Sequence, residues 1–145
     1  HTYFSGDSEA KPEDMILAAI DKGLEAICFT DHEDIDYFCD DIEFVFDPET
    51  YFKELGALKE KYKEKLDIRI GVEFGLQPHL AKKAKAFTTA NPYDFVIGSM
   101  HVVGGKDPYY PEFFEGISDV GDGLSHILLL FYRESSVKTV YMQRL

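Results

Sequence analysis

Positive charge is scarce in this chain. Lys and Arg number 15 against 27 Asp and Glu, a net of −12 over 145 residues. That balance argues against a polyanion-binding surface, because nucleic-acid binding is dominated by cationic contacts to phosphate. No run of about 18 apolar residues exists, so no membrane-spanning helix is expected. No signal peptide is visible. Cysteine occurs only at Cys28 and Cys39, too far apart for a paired Cys-x-x-Cys site. This usage suits a reducing cytoplasm, and Cys28, inside an apolar run, is expected to be a buried thiol. There is no Gly-rich phosphate loop, no nucleophilic Ser or Cys motif, no internal repeat and no low-complexity tract. Any chemistry must therefore come from imidazoles and carboxylates.

Three stretches supply them. Phe95 to Val103 is a largely apolar run that reads as a buried strand with His101 towards its far end. Ala26–Thr30 runs into Asp31 and His32, and Ile68–Val72 runs into Glu73. His1 and, six residues later, Asp7 open the chain. Between the strands lie helical patterns. Pro12 takes a first helical position, with Glu13 and Asp14 in the first turn and Met15, Ile16, Ala19 and Ile20 on one face. Gly23 suits the C-terminal end. Asp47-Pro48 announces a second helix by the same logic, with Tyr51, Leu55, Leu58 and Tyr62 on one face and a solvated Lys/Glu face at 59–65. Pro78 opens a third, with Leu80, Ala84 and Phe87 inward, stopped at Asn91-Pro92. Residues 33–46 read as a long acidic, aromatic loop over the rim. The last segment, 117–145, carries an apolar block at Ile127–Phe131 and a weak helical pattern.

The order βαβαβ implies an α/β fold with a parallel sheet and right-handed crossovers. Ligands at consecutive strand ends are how such a sheet builds a site along one rim. Three strands cannot close a barrel. The chain does not start with Met, so we expect an N-terminal truncation, a strand before His1 and further strands after Leu145.

Taken singly, His101 reads as a hydrogen-bonded core histidine, His32 as a loop histidine and Asp7 as a turn aspartate within Gly6-Asp7-Ser8. Glu73 is harder to dismiss. A carboxylate among Gly71, Val72, Phe74 and Gly75 costs several kcal/mol if buried unpaired, and a cation removes that cost. The coincidence of three such positions favours a metal site. Mixed imidazole and carboxylate donors suit Zn, Mn or Fe, and their number suggests two or more ions, with Glu73 as the bridge. Such a centre acidifies water and clamps phosphoryl oxygens, so no side-chain nucleophile is needed. His79 reads as structural or solvent-facing and His126 as a non-ligand. Tyr109 and Tyr110, after a Gly-Gly pair, are candidate substrate-facing residues, against the plainer reading that loop aromatics pack down.

The stretches "HTYFSGDS", "ICFTDHEDI", "IGVEFGLQPHL" and "DFVIGSMHVVGGKDPYYPEFFEG" resemble the PHP (polymerase and histidinol phosphatase) superfamily, in its histidinol-phosphatase branch. They span residues 1 to about 116. The resemblance implies a partial, distorted (β/α)7 TIM-like barrel with two or three divalent ions at the strand C-termini. Residues 1–116 would be the N-terminal portion of that domain, and 117–145 a divergent tail of it. His1 falls on the second histidine of the family's His-x-His motif. Asp7, His32, Glu73 and His101 fall on further metal positions, with the catalytic roles on Glu73, His32 and His101. The family's later Gly-His region, phosphate-holding Arg and closing Asp-x-His find no match here. The resemblance implies a cytoplasmic phosphoric monoester hydrolase acting on L-histidinol phosphate in histidine biosynthesis. Its partner would be a small phosphorylated substrate, with no nucleic acid and no membrane. A phosphodiesterase or exonuclease of the same superfamily, and an inactive metal-binding fragment, are the alternatives. Exposed edges in a partial sheet lead us to expect self-association.

Overall fold

In a computed structural model, residues 1–38 and 41–115 are described. The expectations for Cys39, His126, the Ile127–Phe131 block and the tail 117–145 lie outside the described residues.

The chain alternates helix and strand as its periodicity dictates. Helix α1, Pro12–Asp21, starts on Pro12 and carries Glu13 and Asp14 in its first turn. Gly23 follows its end at φ +70, a left-handed conformation that glycine adopts without a Cβ penalty. Strand β1, Ala26–Phe29, and the two-residue β2, His32–Glu33, are separated only by Thr30 and Asp31. Helix α2, Pro48–Tyr62, is capped by Asp47, whose Oδ2 accepts from Thr50 N at 2.9 Å and Thr50 Oγ1 at 2.6 Å. Strand β3 is Asp67–Gly75. A short 3-10 turn at Pro78–Leu80 then leads into α3, Ala81–Ala90, and β4 is Phe95–Ser99. A second 3-10 turn spans Pro111–Phe114.

Among the described residues all strand pairings are parallel. β1 and β2 run along one edge of β3, and β4 along the other, so that Glu73 of β3 pairs with both His32 and Ile97. Strand alternation gives the sheet two unlike faces. Ile68, Ile70, Val72 and Phe74 point towards the helices and are buried. There Ile16 and Ala19 of α1 and Tyr51, Leu55 and Tyr62 of α2 close one core with Phe29, Leu66, Ile68 and Ile70. Phe87 of α3 packs 5.6 Å, centroid to centroid, from Phe74. All three helices thus cover one face of the sheet.

The other face carries Glu73. Its first half is bare among the described residues, with Ala26, Cys28, Asp67, Arg69 and Phe95 exposed. The expectation of a buried thiol at Cys28 therefore fails. An apolar run signals a strand, but register puts Cys28 on the face opposite the helices, beside Arg69. The expected buried strand 95–103 is also corrected. β4 ends at Ser99, and Phe95 and Val96 are 52% and 42% exposed, because β4 is an edge of the described sheet. His101 consequently sits just past the strand rather than within it.

Among the described residues no helix is long and apolar enough to cross a membrane.

Candidate metal centre

Parallel strands end together, and here polar residues at or just past the ends of β2, β3 and β4 gather on one rim. Glu73, in the last part of β3, is 3% exposed. Its two oxygens face different histidines. Oε2 lies 3.3 Å from His1 Nε2, and Oε1 lies 3.0 Å from His101 Nε2. His1 Nδ1 is 3.3 Å from Asp7 Oδ2, and His32 Nε2 is 3.6 Å from the same oxygen. The three imidazoles stack edge to face, with centroids 4.2 Å apart for His1 and His32 and 4.7 Å for His32 and His101. All five residues expected as ligands, His1, Asp7, His32, Glu73 and His101, are thus gathered in one place.

The sequence reading missed a sixth residue of the cluster. Asp34 is 5% exposed, and both its oxygens lie against His101 Nδ1, at 2.9 and 2.8 Å. Donor atoms of His1, His32 and Glu73 lie within 4.8 Å of one another, as do those of His32, Asp34 and His101. The available signal was spacing: Asp34 stands two residues after His32, so an extended backbone puts both on one side.

A buried carboxylate holds the N-terminal loop in place. Asp31 is fully buried and accepts from Thr2 N, from Ser5 Oγ at 3.0 Å and from Tyr51 OH at 3.0 Å. Tyr51 OH also lies 3.1 Å from Gly71 O, and Ser5 Oγ accepts from His32 N at 2.9 Å. Tyr51, counted from sequence as an apolar helix position, therefore ties α2 to β3 and to the loop bearing His1 and Asp7.

The electrostatics follow from these contacts. The hydrogen bond to Glu73 is the main influence on His1, whose pKa rises to about 9 although burial opposes it. Burial likewise works to lower His101, but Asp34 and then Glu73 outweigh it and lift the group to about 10. Burial would raise Glu73, yet hydrogen bonds from His1, His101 and Ser99 hold it well below the usual carboxylate range. His32 differs. Burial lowers its pKa, and its Nδ1 is buried without a hydrogen bond, 3.5 Å from Asp34 Oδ2.

The donor set fits a divalent cation. Glu73, Asp7 and Asp34 favour the charged forms of His1 and His101, the role a cation's charge would otherwise take. Burial favours the neutral form of His32, whose Nδ1 is orphaned, and neutral imidazole is the form a metal requires. Imidazole with carboxylate is also the donor mixture of zinc, manganese and iron sites.

Other candidates lie elsewhere. His79 is exposed and pairs with Asp36 at 3.0 Å, as its structural reading anticipated. Tyr109 is 72% exposed, its ring edge-on to Tyr110. Their loop is tied back to the rim by Tyr37 OH, which donates to Asp107 Oδ2 at 2.7 Å while the Tyr37 ring meets Phe44 and Phe44 meets His32.

Known proteins resemble this chain in sequence and fold. The histidinol-phosphatase of Lactococcus lactis subsp. lactis is 37% identical over 109 residues, which cover 75% of this chain and 40% of that protein. A probable histidinol-phosphatase of Deinococcus radiodurans is 32% identical over 116 residues, 78% of this chain and 44% of that one. The crystal structure of histidinol phosphate phosphatase from L. lactis, complexed with zinc, L-histidinol and phosphate, superposes with a TM-score of 0.85 at 29% identity. That superposition covers 100% of this chain and 55% of the other. The chain thus spans less than half the length of these curated relatives. Residues 1–143 match the PHP domain, and the chain belongs to the PHP domain family.

Proposed function

We propose that this chain provides the first part of the metal centre of a phosphoric monoester hydrolase that converts L-histidinol phosphate to L-histidinol and phosphate. The observation that carries the reading is Glu73, a buried carboxylate with one oxygen towards His1 Nε2 and the other towards His101 Nε2. That is the disposition of a bridging ligand between two cation positions. His1, His32 and Glu73, whose donor atoms lie within 4.8 Å of one another, would hold one ion, and Glu73 with His101 a second, with Asp7 beside His1 and His32. The count of two or three ions and the choice among Zn, Mn and Fe belong to this proposal, with zinc supported by the related crystal structure.

When bound, the ions supply positive charge to phosphoryl oxygens and acidify a water. The chain's own residues do the rest. Glu73, His32 and His101 hold and orient, the buried Asp31 network keeps His1 and Asp7 on the rim, and Tyr109 and Tyr110 would face the substrate. Helices on one face of parallel strands, with the site at the strand C-termini, support a sector of a (β/α)7 barrel. The reading also implies a cytoplasmic enzyme of histidine biosynthesis with a small phosphorylated substrate. The net charge of −12 speaks against a nuclease acting on nucleic acid.

The test is phosphate release from L-histidinol phosphate by the zinc-loaded chain. Release abolished by chelator and by Glu73→Ala supports the reading, and an unaffected Glu73→Ala variant refutes it. A second reading, zinc binding without turnover, is favoured by the composition of the cluster, where the described contacts are imidazole, carboxylate and the Ser99 hydroxyl, with no Lys or Arg to hold phosphate. Zinc bound with no phosphate released would select it. We also propose that the chain self-associates along β4, whose exposed Phe95 and Val96 leave an apolar edge. A monodisperse monomer by light scattering would refute that.

A further inference from the structure

We propose that Asp34 is a positioning residue that clamps His101 by Nδ1, so that Nε2 is the nitrogen presented to the metal centre, and that Gly75 is glycine because the clamp needs its space. The proposal rests on the metal-centre reading above, and two independent observations carry it.

The first is the hydrogen-bond geometry. Both Asp34 oxygens face the same imidazole nitrogen, at 2.9 and 2.8 Å, and the other nitrogen faces Glu73 Oε1 at 3.0 Å. An imidazole that donates Nδ1–H to a carboxylate keeps its Nε2 lone pair for a cation, and the carboxylate fixes both tautomer and ring orientation. The opposite assignment would make Asp34 itself a ligand beside His101 Nδ1. It would turn Nε2–H onto Glu73 and withdraw one oxygen of the shared carboxylate from the centre.

The second is the fit of Asp34 against the sheet. Its backbone N donates to Phe44 O at 2.6 Å, which fixes where the side chain can reach. A Cβ built on Gly75 would lie 1.8 Å from Asp34 Oδ1 and 2.8 Å from its Cγ. Any side chain at 75 must expel that carboxylate. Gly75 lies in extended backbone opposite Ser99, so close approach, not a turn, accounts for the glycine.

The experiment combines 15N NMR of the histidine rings, in metal-free and zinc-loaded chain, with zinc affinity by chelator competition and zinc count by mass spectrometry. The wild type should show an exchange-protected His101 Nδ1–H in both states, with Nε2 losing its proton on zinc binding. Asp34→Ala and Gly75→Ala should each erase that protected proton and weaken zinc about 10- to 100-fold, at an unchanged zinc count. Asp34→Asn, which keeps an acceptor, should fall between Ala and wild type; should Gly75→Ala not fold, the Asp34 pair decides. Ligation through Nδ1, a zinc count lowered by one in Asp34→Asn, or wild-type affinity in Asp34→Ala would each overturn the clamp. A wild-type chain that binds no zinc would instead refute the metal-centre reading. The clamp is then judged on the metal-free spectra, where survival of the Nδ1–H signal in Asp34→Ala overturns it and its loss upholds it.

Discussion

The two ends of the sheet use charge in opposite ways. At the C-terminal rim, acids and imidazoles are mostly buried and share partners: Glu73 meets His1 and His101, and Asp34 meets His101 and approaches His32. Towards the other end and along α2, charges pair off on the surface. Lys59 meets Asp94, Lys61 meets Glu13, Lys63 meets Glu60 and Arg69 meets Asp67, with side chains 40–73% exposed. Water screens the second set, and its members are replaceable. The first set has surrendered its hydration, so each member depends on its neighbours. Carboxylates and imidazoles clustered in a dry place are what a cation site requires and a surface does not.

Four substitutions or conditions would break or sharpen this contrast. The largest effect is expected from Glu73→Ala, which leaves His1 and His101 without their common partner. Zinc affinity should fall by more than about 100-fold, beyond the cost of losing an outer-sphere partner, and competition with a chromophoric chelator measures it. Unchanged affinity would remove Glu73 from the centre.

Next comes pH, in the metal-free chain. His1 and His101 have pKa values raised from 6.5 to about 9 and about 10, so the stability they contribute is complete below pH 6.5 and is lost as pH climbs through 9 to 10. The depressed Glu73 contributes above its unfolded value of 4.5, and that share is lost only in acid. Burial raises Glu33 to about 7, which also costs stability as pH rises from 4.5 through 7. Thermal melts should therefore show Tm falling from pH 6.5 to 10. A flat or rising curve would contradict the pairing.

A smaller effect is expected from Tyr51→Phe, which removes one hydroxyl from Asp31 and Gly71 O without touching the centre. Stability should drop by about 1 kcal/mol in urea unfolding, and zinc affinity should fall modestly because the His1–Asp7 loop loosens. No change in either would show Asp31 to be satisfied without it. Smallest of all is Lys63→Ala on the solvated helix face, where the loss should stay below about 0.5 kcal/mol. A larger loss would erase the distinction between the two ends.

Much of the frame could be read from residue order. Pro12, Pro48 and the Asp47 cap announced helices that begin at those residues, and the apolar runs announced β1, β3 and β4. Three of the five foreseen ligands, His32, Glu73 and His101, lie near or just past a strand end, where the topology of a parallel sheet must gather them. What stayed hidden depends on facing and distance. Nothing in a run of Ala, Ile, Cys and Phe says which side helices will cover, so Cys28 was misplaced. The acidic loop 33–46 offers several carboxylates, and only the folded backbone selects Asp34. Tyr51 advertised its ring through helical spacing, while the partner of its hydroxyl lay 20 residues earlier, at Asp31.

The convergence on Asp31 has a consequence for how this molecule matures. The loop of Thr2 and Ser5, the segment after β1 and the start of α2 meet at one carboxylate, so His1 and Asp7 have no fixed position until the sheet and α2 have docked. Metal uptake should consequently wait on assembly of the sheet. Holding the ion would then be a readout that the loop bearing His1 and Asp7 has found its seat.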